Sequence, residues 1–214
     1  MRKIKYRVIL LLCLAHLYTN AQQQTASSHY VFPAFGKGTV LQKNGEVVEA
    51  MLNYNVLSGE IIFESSPGRY LALANPELAD TVFILDRKFV PVNSKFYELL
   101  TATVSALFLE YTCTVKDPGT DIGYGIKSTS TASNAVKNLI QSGGVYSLKL
   151  PDNFEVTSNT MYWIYKDGKY QKANSAKQII AIVPDKKDKI NELIKRNNAD
   201  FSRKEDVINL VRQL

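Results

Sequence analysis

Trp163, Tyr165 and Tyr170 are the side chains whose types and spacing best suit ligand contact. Asp167-Gly168 is a two-residue turn signal that folds Thr160–Lys172 into a hairpin, with Tyr165 opposite Tyr170 and Trp163 opposite Lys172. These side chains share one strand face with Met161. Flat amphipathic rings in a row stack on sugars or peptides at low cost in side-chain entropy. The same pattern also describes the inner face of a sheet with Trp163 as a core anchor, which is the commoner use of such a face. Trp163, Tyr165 and Tyr170 are therefore the candidate ligand-binding residues.

Other chemistry lacks its residues. Histidine-dependent catalysis needs an imidazole as proton carrier, and the chain has two histidines, His16 and His29. Two cysteines, Cys13 and Cys113, are too few for a structural zinc site. Lys127-Ser128 follows Ile126 rather than glycine, so the glycine-bearing segment 119–128 does not match a phosphate loop. Asp117 and Asp121 come nearest to a calcium loop, but their spacing fits none and solvated turn residues account for them. Glu49, Glu60, Glu64 and Glu98 lie in or beside expected strands, where an outward-facing acid is the default. No catalytic residue, metal ligand or cofactor is assigned.

The N-terminus narrows the setting. Arg2, Lys3, Lys5 and Arg7 precede an apolar run from Val8 to about Leu17 and a short polar exit at Ala21, the order of a cleavable secretory signal peptide. The apolar run is about half of the ~20 residues that a permanent membrane helix needs. A lipoprotein reading at Cys13 fails on the preceding Leu12. Residues 1–21 are thus expected to be removed and the working chain to start at Gln22, periplasmic or secreted, with no transmembrane anchor. Four of the 26 basic residues leave with the leader and none of the 20 acidic ones, so the formal charge falls from +6 to about +2. That balance argues against a nucleic-acid partner, which usually requires a basic stripe to displace counterions. His16 and Cys13 leave as well, so no internal disulfide can form. Cys113, in phase with Leu109, Tyr111 and Val115, reads as a buried small hydrophobe.

These residues need a scaffold. From Gly38 to Val115 short alternating runs and turn signals succeed one another, the pattern of an antiparallel meander. Asn44-Gly45 predicts a type I′ hairpin pairing Leu41 with Val48 and Thr39 with Ala50. Residues 22–37 read as a flexible lead-in, and 117–133, rich in Gly, Ser and Thr, as a mobile loop suited to an insertion or lid. A short helix is expected over 134–142, and strands at 146–150, 160–172 and 178–183. From Pro184 the apolar period lengthens. Ile190, Leu193 and Ile194 form one helical face, and Val207, Leu210, Val211 and Leu214 another. Asn197-Asn198 separates the two, and Ser202 with Glu205 reads as a capping box. The expected fold is α+β: a mainly antiparallel, meander or sandwich-like β body over 38–183, with a C-terminal helical hairpin, 184–214, packed on it.

Two stretches carry a family likeness. The first is Leu52-Asn53-Tyr54-Asn55 with Gly59–Glu64, Leu71-Ala72-Leu73, Arg87-Lys88-Phe89-Val90 and Phe96-Tyr97-Glu98. The second runs from Pro184-Asp185-Lys186-Lys187 through Asp200-Phe201 and Glu205-Asp206-Val207 to the C-terminus. With the signal ending Ala21-Gln22, the chain resembles uncharacterised secreted proteins of Bacteroidota-type bacteria. The resemblance implies an exported bacterial protein and carries over no site residue. The functional expectation is an exported noncatalytic binding or structural protein of the cell envelope, its partner an envelope or extracellular protein or a glycan. The alternative is a carboxylate-based hydrolase acting on a glycan.

Overall fold

The computed structural model describes residues 29–103, 105–116 and 155–214, and between them the paired segments 120–121, 127–128, 141–142 and 145–146. Eight strands come first: β1 Gly36–Gln42, β2 Val47–Asn55, β3 Glu60–Ser66, β4 Arg69–Ala72, β5 Ala79–Ile84, β6 Arg87–Val92, β7 Lys95–Thr101 and β8 Ala106–Lys116. The short pairs β9 Thr120–Asp121 with β10 Lys127–Ser128, and β11 Gln141–Ser142 with β12 Val145–Tyr146, follow. The long hairpin β13 Glu155–Lys166 and β14 Lys169–Lys172 completes the sheet, ahead of three helices, α1 Ala176–Ile182, α2 Lys187–Asn197 and α3 Lys204–Arg212. The fold is α+β.

All strands but β9 and β10 join one sheet in the order β11-β12-β4-β3-β2-β1-β5-β6-β7-β8-β13-β14, every pair antiparallel. The sheet curls until its β2–β3 turn meets β7 and β8. The Phe96 amide donates to the Gly59 carbonyl at 3.3 Å, and the Tyr54 hydroxyl donates to the Phe96 carbonyl at 3.0 Å. Leu52, Tyr54, Ile61, Val82, Ile84, Phe89 and Phe96 fill the hollow. Leu107, Leu109, Tyr162 and Ile164 make a second core with the apolar faces of all three helices. Half-buried Tyr111 packs against both cores.

Several expectations need correction. Residues from His29 to Phe35, read as flexible lead-in, are packed along β2: the Val31 amide donates to the Tyr54 carbonyl, and Asn53 exchanges hydrogen bonds with the Phe32 backbone. The first hairpin is displaced by one residue, pairing Val40 with Val48 and Thr39 with Glu49. Gly45 is left-handed and Asn44 is not, so the loop is one residue longer than a type I′ turn, and the slip moves each side chain to the other face. Residues 134–140 lie outside the described set, and Gln141–Ser142 is strand.

Residues 178–183 were expected to be a strand and belong to α1 and its C-cap. The Ser175 side chain accepts from the Gln178 amide at 3.3 Å, while the Gln178 side chain accepts from the Asn174 amide at 2.7 Å. This reciprocal cap outweighs the strand preference of the β-branched run Ile179-Ile180. Ser175→Ala is expected to destabilise the protein by about 1 kcal/mol, read as a shift in the urea midpoint at unchanged slope. α3 lacks the expected Ser202 cap; Asp206 instead accepts from the Asp200 amide at 2.9 Å and pairs with Arg203 at 2.7 Å. Left-handed Asn198 ends α2 where the Asn-Asn signal placed a stop.

Candidate functional site

Register assigns the faces. Glu98 lies opposite Leu109, and Leu109 opposite Tyr162, on the face that carries the helices. One residue along each strand, Tyr97, Phe108, Glu110, Met161, Trp163 and Tyr165 point the other way. Asp167 and Gly168 both have positive φ, the type I′ geometry, and set Trp163 opposite Lys172 and Tyr165 opposite Tyr170.

The hairpin rings therefore gather on the face opposite the helices, where they meet Tyr97 and Phe108. Trp163 stacks on Tyr97 with centroids 5.8 Å apart and planes 25° from parallel. Tyr170 stands edge-on to Tyr97 at 5.7 Å and to Phe108 at 5.1 Å, and Tyr165 lies 4.8 Å from Tyr170. Tyr97 and Phe108 are buried, Trp163 and Tyr170 half-buried, and Tyr165 is 41% exposed. Neither sequence reading describes this fully: the inner rings form a small core, and the outer rings reach solvent. Lys172 reaches over the indole, its Nζ 5.7 Å from the ring centroid.

A buried carboxylate orients the cluster. Glu110, 3% exposed, accepts from Trp163 Nε1 at 3.0 Å and from the Tyr97 hydroxyl at 3.3 Å, and pairs with Lys95 Nζ at 2.7 Å. Burial first, then the charge and hydrogen bond of Glu110, push the Tyr97 hydroxyl up to about 12, so it stays a donor. Sequence reasoning missed Tyr97, Phe108 and Glu110, which arrive from other strands. The one available signal was an acid inside the apolar run Leu107-Phe108-Leu109-Glu110-Tyr111.

The second buried carboxylate, Glu98, corrects the expectation of a surface acid. Its oxygens accept from Arg87 Nε at 2.8 Å and Nη2 at 2.7 Å, from the Tyr111 hydroxyl at 2.5 Å, and from Lys204 Nζ at 3.2 Å. Arg87 Nη2 also contacts the Tyr111 hydroxyl. The Arg87 guanidinium sits among the rings of Phe32, Tyr111 and Phe89, 4.6, 5.4 and 5.5 Å from their centroids. Burial opposes ionisation of Glu98, but the hydrogen bonds of Arg87 and Tyr111 and the charges of Arg87 and Lys204 hold its carboxyl below the usual range. The same burial, with the charge of Glu98, raises the Tyr111 hydroxyl.

Glycan hydrolysis requires two carboxyl groups facing each other across a cleft, roughly 5 to 9.5 Å apart. Glu98 and Glu110 point to opposite faces of the sheet, and each is fully engaged by structural partners. Among the described residues no three His, Cys, Asp or Glu side chains group as metal ligands. No helix there is long and apolar enough to cross a membrane. Cys113 is half-buried, its thiol 3.6 Å from the Val56 carbonyl at the seam between the β2–β3 turn and β8. Compared with known protein families, curated proteins and solved structures, the chain matches none.

Proposed function

We propose that the chain is an exported, noncatalytic binding protein of a bacterial cell envelope, working from Gln22 onward through the aromatic face of β7, β8, β13 and β14. The observation that carries this reading is the Trp163–Tyr97–Tyr170–Tyr165 cluster. Glu110 orients Trp163 and Tyr97 by hydrogen bonds, Tyr170 packs on Tyr97, and Tyr165 reaches solvent on the side away from the helices. A pre-oriented aromatic surface loses little entropy when a ligand covers it. The leader sequence and the resemblance to secreted proteins of Bacteroidota-type bacteria support the setting.

The test is co-sedimentation of residues 22–214 with a purified envelope fraction from such a bacterium. Saturable retention is expected, weakened by Tyr165→Ala and Tyr170→Ala; the exposed Tyr165→Ala should melt close to the parent, while Tyr170→Ala, which removes packing from Tyr97 and Phe108, should melt lower. Retention that is absent, or equal in all three proteins, would sink the reading. Intact mass of the exported protein should correspond to cleavage after Ala21.

A further inference from the structure

We propose that the aromatic face binds an acidic polysaccharide, the chain lying along β13 with a sugar ring on Trp163, Tyr165 and Tyr170 and a sugar carboxylate on Lys172. This rests on the reading of that face as the binding surface and narrows its ligand.

Two observations point to a sugar chain. Tyr165 and Tyr170, their planes 52° apart, offer apolar ring faces edged by hydroxyls, matching the apolar faces and polar rims of pyranose rings. Further along the same face, β13 and β8 present the short polar side chains Thr112, Thr114, Thr157 and Asn159, paired across the two strands. Asn159 Nδ2 donates to Thr114 Oγ1 at 3.2 Å, and Thr114, Thr157 and Asn159 are exposed. From Tyr165 to Asn159 the strand runs ~20 Å, enough for several sugar rings in file. A stripe of hydroxyl and amide groups next to stacking rings suits a polyhydroxylated ligand, whose hydroxyls can exchange hydrogen bonds with the threonines and Asn159 while its ring faces pack on the aromatics.

The acidic character follows from how the charges are committed. Glu110, the carboxylate of this cluster, is buried and engaged by Lys95, Tyr97 and Trp163, so it offers no exposed negative charge to a ligand. Lys172 is exposed, holds its ammonium over the indole, and has no carboxylate partner among the described residues. A ligand carboxylate arriving with a ring on Trp163 would draw the ammonium aside and pair with it. A cation–π contact at an exposed site is weak enough to be exchanged in this way. One uncommitted lysine suits a chain of spaced carboxylates better than the dense phosphates of a nucleic acid.

Trp163 is the only tryptophan in the sequence, so its emission reports this site alone. The experiment titrates residues 22–214 with short oligogalacturonates and oligoalginates, and with the same oligomers after reduction of their carboxyl groups. A saturable change in emission is expected with at least one acidic oligomer, falling with added salt. Lys172→Gln should weaken that binding about two- to fivefold and leave the reduced oligomer unaffected. Tyr165→Ala should weaken both about tenfold. Both substitutions are at exposed side chains, and unchanged melting confirms that they fold. Equal binding of acidic and reduced oligomers, or an unchanged Lys172→Gln, overturns the proposal. If no oligomer binds while Tyr165-dependent retention on the envelope fraction persists, the ligand class is wrong and the binding face stands. If that retention is also missing, both fail.

Discussion

Glu98→Ala is expected to lower the free energy of unfolding by about 3 kcal/mol. The reason lies in what is left behind rather than in the worth of the pair. Glu98 receives Arg87 through both Nε and Nη2, together with Tyr111 and Lys204. Removing it strands a guanidinium enclosed by Phe32, Phe89 and Tyr111, whose side chain is only 23% exposed. A buried charge deprived of its partner costs more than the intact pair contributes. The replacement of both members, Arg87→Met with Glu98→Leu, should therefore lose less than either single change. Lys204→Ala, whose side chain is more exposed, should cost ~0.5 kcal/mol. Equilibrium urea unfolding of the parent, Glu98→Ala, Lys204→Ala, Arg87→Met, Glu98→Leu and the double variant decides this, and a double variant no more stable than its singles would contradict it. The network also joins the N-terminal segment through Phe32, the sheet through β6, β7 and β8, and the C-terminal helix through Lys204. Loss of Glu98 should consequently loosen α3, visible as faster amide exchange over 204–212.

The pH dependence follows from the direction of the shift. The folded state holds the Glu98 carboxyl below its ordinary value of 4.5, so the unfolded chain takes up its proton first as pH falls. The stabilisation from this group is complete above that ordinary value and is lost as pH drops through the lower folded one. The stability gap between the parent and Glu98→Gln should be widest near neutral pH, start to narrow as pH falls past 4.5, and close only below the lowered folded value. A gap that stays constant through the acid range would mean that the carboxylate is not the stabilising species.

Why this network escaped the sequence is physical. Glu98 and its partner Lys204 lie 106 residues apart, and no local pattern distinguishes a buried strand glutamate from an exposed one until the partner strands are in place. Alternation made most of β3 to β8 legible, and Asp167-Gly168 set the hairpin register because both of its residues take the conformation that the turn requires. Asn44-Gly45 is an equivalent turn pair, but only Gly45 is left-handed, so the turn was right and the register was not. At α1 the β-branched run pointed to a strand, while Ser175 and Gln178, three apart, carried the opposing signal. The aromatic face was half legible for the same reason: Trp163, Tyr165 and Tyr170 share one hairpin, whereas Tyr97, Phe108 and Glu110 reach them only through the sheet.

Gly38→Ala is expected to destabilise the protein by about 2 kcal/mol, although nothing about its backbone forbids a side chain. Gly38 lies in β1 between Ala50 of β2 and Ile84 of β5. An added Cβ would come within 2.5 Å of the Phe83 carbonyl oxygen and 2.6 Å of a Leu52 methyl. Leu52 is fully buried, and the carbonyl belongs to the main chain of β5, so neither can move away as an exposed side-chain end would. Against this, alanine removes about 0.5–1 kcal/mol of strand-interior entropy penalty, which is smaller than the clash. Gly36, two residues earlier on the same strand, provides the control. There the new Cβ would meet only the Leu85 side chain, at 2.9 Å, and Leu85 is 61% exposed and can turn aside. Gly36→Ala should therefore be near neutral or slightly stabilising. Adding Leu52→Val to Gly38→Ala would relieve the methyl contact but not the carbonyl, and should leave the double variant well short of the parent. Thermal unfolding of the three proteins separates the contributions: equal melting of Gly36→Ala and Gly38→Ala would show that β1 and β5 are not packed as closely as the 2.5 Å approach requires.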